Sequence, residues 1–258
     1  MNKDTLRQML VILAVIAVIA VNSIAVALPL NGLDTGEISD RFDIYFVPAG
    51  YVFSIWSLIY IGLIAFAIFQ ALPGQKENPR LRSTGYLFVF SCLANIIWLF
   101  LWHYEVFHLT LVAMLALLLS LIAIYLRLDI GRVQVSRGEK WCVHIPFSVY
   151  LGWISVATIA NATQLLYFLD WNGWGISPEI WAVIMLAAGV IISAVMSLTR
   201  ADIAYSLVLI WAYAGIALEH ASTPIVANAA WVGAVVILAI LIVAVINKYR
   251  RKEALTNA

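Results

Sequence analysis

Apolar residues run along this chain in long blocks, and the charged residues gather in the gaps between them. The blocks lie at about residues 9–30, 50–72, 83–103, 107–126, 146–168, 180–199, 203–219 and 224–247. Most approach the roughly 20 residues that an α-helix needs to cross a bilayer. The pattern predicts an all-α, polytopic transmembrane bundle of about eight spans. The block at 203–219 is the shortest. The first block, preceded by Lys3 and Arg7, has the outline of a signal peptide, with Ala25-Val26-Ala27 as a cleavage-like site. Its apolar run exceeds the usual stretch of roughly 7–15 residues, so it is read as a retained first helix.

The gaps carry their own signals. Residues 31–49 form an acidic polar loop with Asp34, Glu37, Asp40 and Asp43, closed by Val47-Pro48-Ala49-Gly50 before the second helix. A short basic loop runs from Pro73 to Arg82, and His103-Tyr104-Glu105 makes a tight turn. Pro178-Glu179 reads as a helix start, and Lys248-Tyr249-Arg250-Arg251-Lys252 as a basic stop after the last span.

Composition agrees with this reading. The chain is 64% hydrophobic and 11% charged, against about 45–50% and about 25% in soluble domains. No gap exceeds about 20 residues, so none holds a soluble domain. A net charge of +1 gives no reason to expect nucleic acid as a partner. With an even number of spans and a cytoplasmic N-terminus, every Lys and Arg except Arg41 falls on the cytoplasmic side. That asymmetry is what the positive-inside rule expects, so both termini are expected in the cytoplasm, at the inner membrane if the protein is bacterial. Cys92 and Cys142 have no zinc-type or C-x-x-C spacing and read as free thiols.

Candidate chemistry is sparse. His103 and His108 are five apart across a turn, a weak metal pair. Glu219-His220 reads as a solvated helix end. No ionisable residue falls in the middle of a span, which argues against ion-coupled transport. Nucleotide fingerprints are absent. With no evident acid, base or metal site, the chain does not read as an enzyme. The polar side chains at membrane depth are Ser57, Asn95, Ser155, Thr158 and Asn161. Trp153, Ala157 and Asn161 stand at i, i+4 and i+8 and share one helix face. Two readings of that face stay open. Ala157 permits close helix approach while Asn161 bonds to a neighbouring helix, or the three line a pocket. Phe53, Trp56 and Tyr60 form an aromatic stripe, of the kind that usually packs. If Trp56, Trp98 and Trp153 converge from their three helices, they make an apolar cavity with a few polar handles, suited to a planar aromatic ligand.

Trp153-x-Ser155-x-Ala157-Thr158-x-x-Asn161 resembles the fifth-helix motif of the tryptophan-rich sensory protein (TspO/MBR) family, that of the translocator protein. Val52-Phe53 followed by Trp56-x-x-x-Tyr60 resembles its second-helix signature, and Asn95-x-x-Trp98 its third. Three motifs in order are more specific than any one. Tyr51 stands where the family usually has Trp, and Phe100 near where a Pro is common. The likeness covers residues 7–172, so the chain is divided into a five-helix bundle at 1–172 and a three-helix C-terminal extension at 173–258. The resemblance implies a bundle, often dimeric, that binds porphyrins or similar apolar aromatic molecules for sensing, regulation or transfer. Its ligand-binding candidates here are Phe53, Trp56, Tyr60, Asn95, Trp98, Trp153, Ala157 and Asn161. No cofactor is required, and a porphyrin or haem-type molecule is the implied ligand. The expected partners are membrane lipid, this ligand, and a second copy or a larger membrane complex. Two alternatives stand beside it: a permease for a small apolar solute, and an assembly subunit whose exposed small-residue face at Gly189, Ser193 and Ser197 is covered by a partner.

Overall fold

A computed structural model describes residues 2–28, 30–33 and 35–256, with 251–256 as backbone alone. Asp34 of the acidic loop and the side chains of Arg251 and Lys252 lie outside the described residues. All regular structure among those residues is helical: α1 Lys3–Ala27, α2 Thr35–Ser39, α3 Ile55–Ala71, α4 Pro79–His103, α5 Phe107–Arg127, α6 Arg137–Glu139, α7 Ile145–Phe168, α8 Pro178–Arg200, α9 Ile203–Glu219 and α10 Pro224–Thr256. Seven segments are long and apolar enough to cross a membrane. The 17-residue α9 is a shorter apolar helix, at the lower limit of about 17–25 residues for a span.

The ends depart from the hydropathy pattern where capping chemistry decides them. Helix α4 starts a turn before residue 83, because Asn78 accepts from the Arg80 amide (3.0 Å) and Pro79 occupies the first turn. The basic tail does not stop α10, which continues to Thr256. Lys and Arg are good helix formers, and cations suit a helix C-terminus. The acidic loop contains a turn of 3-10 helix at Leu30–Gly32 and the short α2. Residues Gly50–Ser54, expected as the first turn of the second helix, form a 3-10 turn instead. The Trp211 indole N–H donates to the Val52 carbonyl (3.2 Å), engaging an oxygen that an α-helix would use for the amide four residues on.

The chain packs as two compact units. The first comprises Met1–Ile44, Ser54–Ile130 and Gln134–Trp171; the second comprises Tyr45–Phe53, Gly131–Val133 and Asn172–Ala258. In the first, α4 lies against α1 and α5, and α7 against α3 and α5. Phe66, Phe88 and Phe147 meet edge to face at 4.9–5.8 Å between centroids. Within a bilayer such packing and interhelical hydrogen bonds hold helices together, since lipid is as apolar as the side chains. A Cβ on Gly62 would come within 2.9 Å of Pro146, so the missing side chain lets α3 approach α7 there.

Polar ties close one end of this unit. Gln8 and Gln70 each donate to the other's backbone carbonyl, at 2.6 and 3.1 Å. Arg82 grips Asp4 (2.6 and 2.8 Å), and Arg80 grips Glu139 (2.6 and 2.8 Å). At the other end, residues 30–44 fold over α4, α5 and α7. His103 Nδ1 donates to the Leu30 carbonyl (3.2 Å), its Nε2 meets the Thr35 hydroxyl (3.0 Å), and Trp102 donates to the Thr35 carbonyl (3.2 Å).

In the second unit α8, α9 and α10 pack mutually. The small-residue face of α8, expected to await a partner, is covered by this chain's own α9. Tyr213 lies directly over Gly189 and donates to the Leu186 carbonyl (2.6 Å), while Ser197 meets Ser206 at 2.9 Å. Ser193 and Ser197 are buried. His220, expected at a solvated helix end, is half-buried and donates to the Val47 carbonyl (3.2 Å) beside the Tyr45 ring.

Candidate functional site

The site grows from α7, which is buried along most of its first half. Residues 150, 153, 157 and 161 recur at three- and four-residue spacing, so they line one side of the helix. Trp153 and Asn161 are buried, and Ala157, one turn from each, is half-buried. Ser155 and Thr158 turn back to carbonyls of their own helix, those of Leu151 (2.8 Å) and Ile154 (2.7 Å).

Trp56 on α3 meets this face. Its ring stacks on Tyr60 with centroids 5.7 Å apart and planes at 23°. It stands edge to face with Tyr150 (6.1 Å, 68°) and Trp153 (6.3 Å, 84°). These are the separations that aromatic pairs prefer. The four rings make one aromatic cluster on two facing helices. Phe53 is placed differently. The 3-10 turn before α3 takes it out of the helical stripe, and it packs with the second unit.

The two asparagines do not face each other; each anchors a separate hydrogen-bond chain. Asn22 on α1 donates to Asn95 Oδ1 (2.9 Å), and Asn95 donates to the Tyr150 hydroxyl (3.3 Å). Three helices are thereby joined at membrane depth. A turn further along α4, Trp98 stacks on Trp102 with centroids at 5.4 Å and donates its indole N–H to Asn161 Oδ1 (3.2 Å). Asn161 then donates to Thr110 Oγ1 (2.9 Å) and Gln164 Oε1 (3.2 Å), and Thr110 donates to the Phe107 carbonyl (2.7 Å). The interhelical bond that one of the two readings gave Asn161 is present. Above it Ile38, Trp102 and Phe107 form an apolar cluster, with Leu33, Phe42, Trp98 and Leu165 packed against it.

Sequence reading missed Tyr150, Thr110, Gln164 and Asn22. Tyr150 and Gln164 had a usable signal, lying three residues from Trp153 and Asn161 on the same helix. Asn22 and Thr110 had none, since their partners are on other helices. Indoles, phenols and carboxamides are neutral, so the site can stack on and hydrogen-bond to a molecule without transferring protons. His103 turns to the 30–44 segment and His108 is exposed, so the two do not make a metal pair. No group of three or more His, Cys, Asp or Glu gathers among the described residues. Both cysteines are free thiols, Cys92 buried and Cys142 half-buried.

A family model described as TSPO-like protein matches residues 8–243. The match takes in the C-terminal helices as far as α10, so the likeness is wider than the five-helix region expected from the motifs. No curated protein and no solved structure matches the chain.

Proposed function

From the premise that this chain belongs to the TSPO-like protein family and is a multi-pass integral membrane protein, we propose that it binds a porphyrin or similar apolar aromatic small molecule. The observation that carries this reading is the cluster of Trp56, Tyr60, Tyr150 and Trp153, drawn from two helices at stacking and edge distances. A planar ligand gains from such a surface by the same stacking that the rings make with one another. The carboxamides of Asn95 and Asn161 lie beside indole and phenol groups and supply the few polar handles typical of small-molecule sites. The role is binding for sensing, regulation or transfer, with no resident cofactor and no reaction. Both termini lie in the cytoplasm in this reading, as the placement of Lys and Arg favours.

The test is a titration of the detergent-purified protein with protoporphyrin IX, followed by tryptophan fluorescence. Trp153→Ala is expected to weaken saturable quenching by about tenfold or more, as loss of a large aromatic anchor does. Trp231→Ala, on exposed surface of α10, is expected to bind as the wild type does. Equal quenching in all three proteins, or none that saturates, would refute the reading.

A further inference from the structure

The helical segment Arg137–Phe168, 32 residues long, is longer than a bilayer core requires. At ~1.5 Å per residue it measures about 48 Å, whereas the hydrocarbon core is about 30 Å thick. All its charged residues, Arg137, Glu139 and Lys140, stand at its start. At its other end Leu166, Tyr167 and Phe168 are exposed and apolar or aromatic. The excess length therefore falls at the start, which places residues 137–144 at the level of the lipid headgroups. There the chain makes a π-helical turn, Lys140–His144. Pro146 has no N–H for the carbonyl four residues back, and the Ile145 amide reaches five back, to the Lys140 carbonyl. The turn packs against α3, with Val143 and His144 buried and Trp141 66% exposed. Arg137 precedes Lys140 and Trp141 by one turn, so the three share a side, and both cations are exposed. Neither cationic group has an ion-pair or hydrogen-bond partner among the described residues. Other cations at this end are engaged: Arg82 by Asp4, Arg80 by Glu139, and Arg127 by the Ser83 carbonyl. The one carboxylate in residues 137–144, Glu139, is buried and held by Arg80.

We infer that Arg137, Lys140 and Trp141 form a docking site for an anionic phospholipid. Water would satisfy the two cations but not an exposed indole, and hydrocarbon would satisfy the indole but not the cations. The headgroup layer offers both: tryptophan settles there, and basic side chains at that level attract anionic lipid. Two cations with no free carboxylate beside them favour a headgroup of net negative charge over a zwitterionic one, whose own cation they repel. The site is separate from the aromatic cluster and needs no ligand there.

The experiment uses the full-length protein reconstituted in vesicles of phosphatidylcholine with phosphatidylglycerol as the minor component. One lipid at a time carries bromine near the top of its acyl chains, where it quenches an indole that it touches. The difference between the wild type and Trp141→Phe isolates the signal of Trp141. Its quenching by brominated phosphatidylglycerol is expected to correspond to a local share about fivefold above the bulk share. In Arg137→Gln with Lys140→Gln, measured with and without Trp141→Phe, the local share is expected to fall to the bulk value. Quenching by brominated phosphatidylcholine should rise in its place. These side chains are exposed, and coincident melting curves in detergent check that the variants fold. Enrichment that survives the double substitution would overturn the site. So would a Trp141 that neither lipid quenches, since the indole would then face water or a protein. Enrichment lost to inorganic phosphate, and not to chloride at equal ionic strength, would mean a site for free phosphate and not for lipid.

Discussion

At the scale of single residues, Trp98 does two things at once. Its ring stacks on Trp102, and its N–H orients Asn161. The two contributions separate in Trp98→Phe, which keeps an aromatic ring and leaves Asn161 Oδ1 without its donor. Interhelical hydrogen bonds in membranes are worth about 1 kcal/mol. The variant is therefore expected to lower the Tm in detergent by a few degrees, an effect that should disappear in the Asn161→Leu background. A loss of equal size in both backgrounds would mean that ring packing alone is at stake. The spacing of Trp153, Ala157 and Asn161 was readable as a shared face. Which oxygen and which nitrogen of Asn161 point where was not, because Trp98 and Thr110 come from other helices.

At the scale of elements, the helices follow from the apolar blocks, and their ends from caps and carbonyl partners. Gly50–Ser54 shows the limit of periodicity. Its residues are as apolar as a helix start, but Val52 gives its carbonyl to Trp211, 159 positions away in the chain. The face of α8 makes the same point from the other side. Gly189, Ser193 and Ser197 form a small-residue stripe that reads as an open docking face. It is filled by Tyr213 and Ser206 of the neighbouring α9. Gly189→Val sets a branched side chain against the Tyr213 ring and is expected to destabilise by about 1–3 kcal/mol. Gly74→Ala is the matched control, since a Cβ there meets nothing within 4 Å. Its melting curve is expected to overlay that of the wild type, and the valine curve to shift several degrees lower. Coincident curves for all three would show that α9 yields at this contact.

For the whole molecule, the span count decides where the termini lie. Seven long apolar segments and the shorter α9 place both ends on one side if all eight cross. Single cysteines at Asn2→Cys and Tyr249→Cys, in a background without Cys92 and Cys142, are expected to react with an impermeant maleimide from the cytoplasmic face alone. Labelling from opposite faces would mean that one segment does not cross, and α9 is the shortest. The first loop is also divided at this scale. Residues 30–44 pack with the five-helix unit and 45–53 with the C-terminal helices. Nothing in its acidic, Gly- and Pro-bearing composition marks the boundary, because the division is made by Trp102 and His103 at one end and by Trp211 and His220 at the other.

What the chain by itself determined is the all-helical membrane architecture, its approximate spans and its family. Long apolar blocks have few other stable forms in lipid, where every backbone polar group must be hydrogen-bonded within the protein and a helix does this within its own segment. The three motifs in order then pointed to the family. Tertiary structure alone decided which aromatic rings meet, that Phe53 leaves the stripe, that the α8 face is filled from within, and that the Asn161 chain ends on Gln164. Each of these depends on partners distant in sequence, whose approach is set by packing and hydrogen-bond direction rather than by any local period.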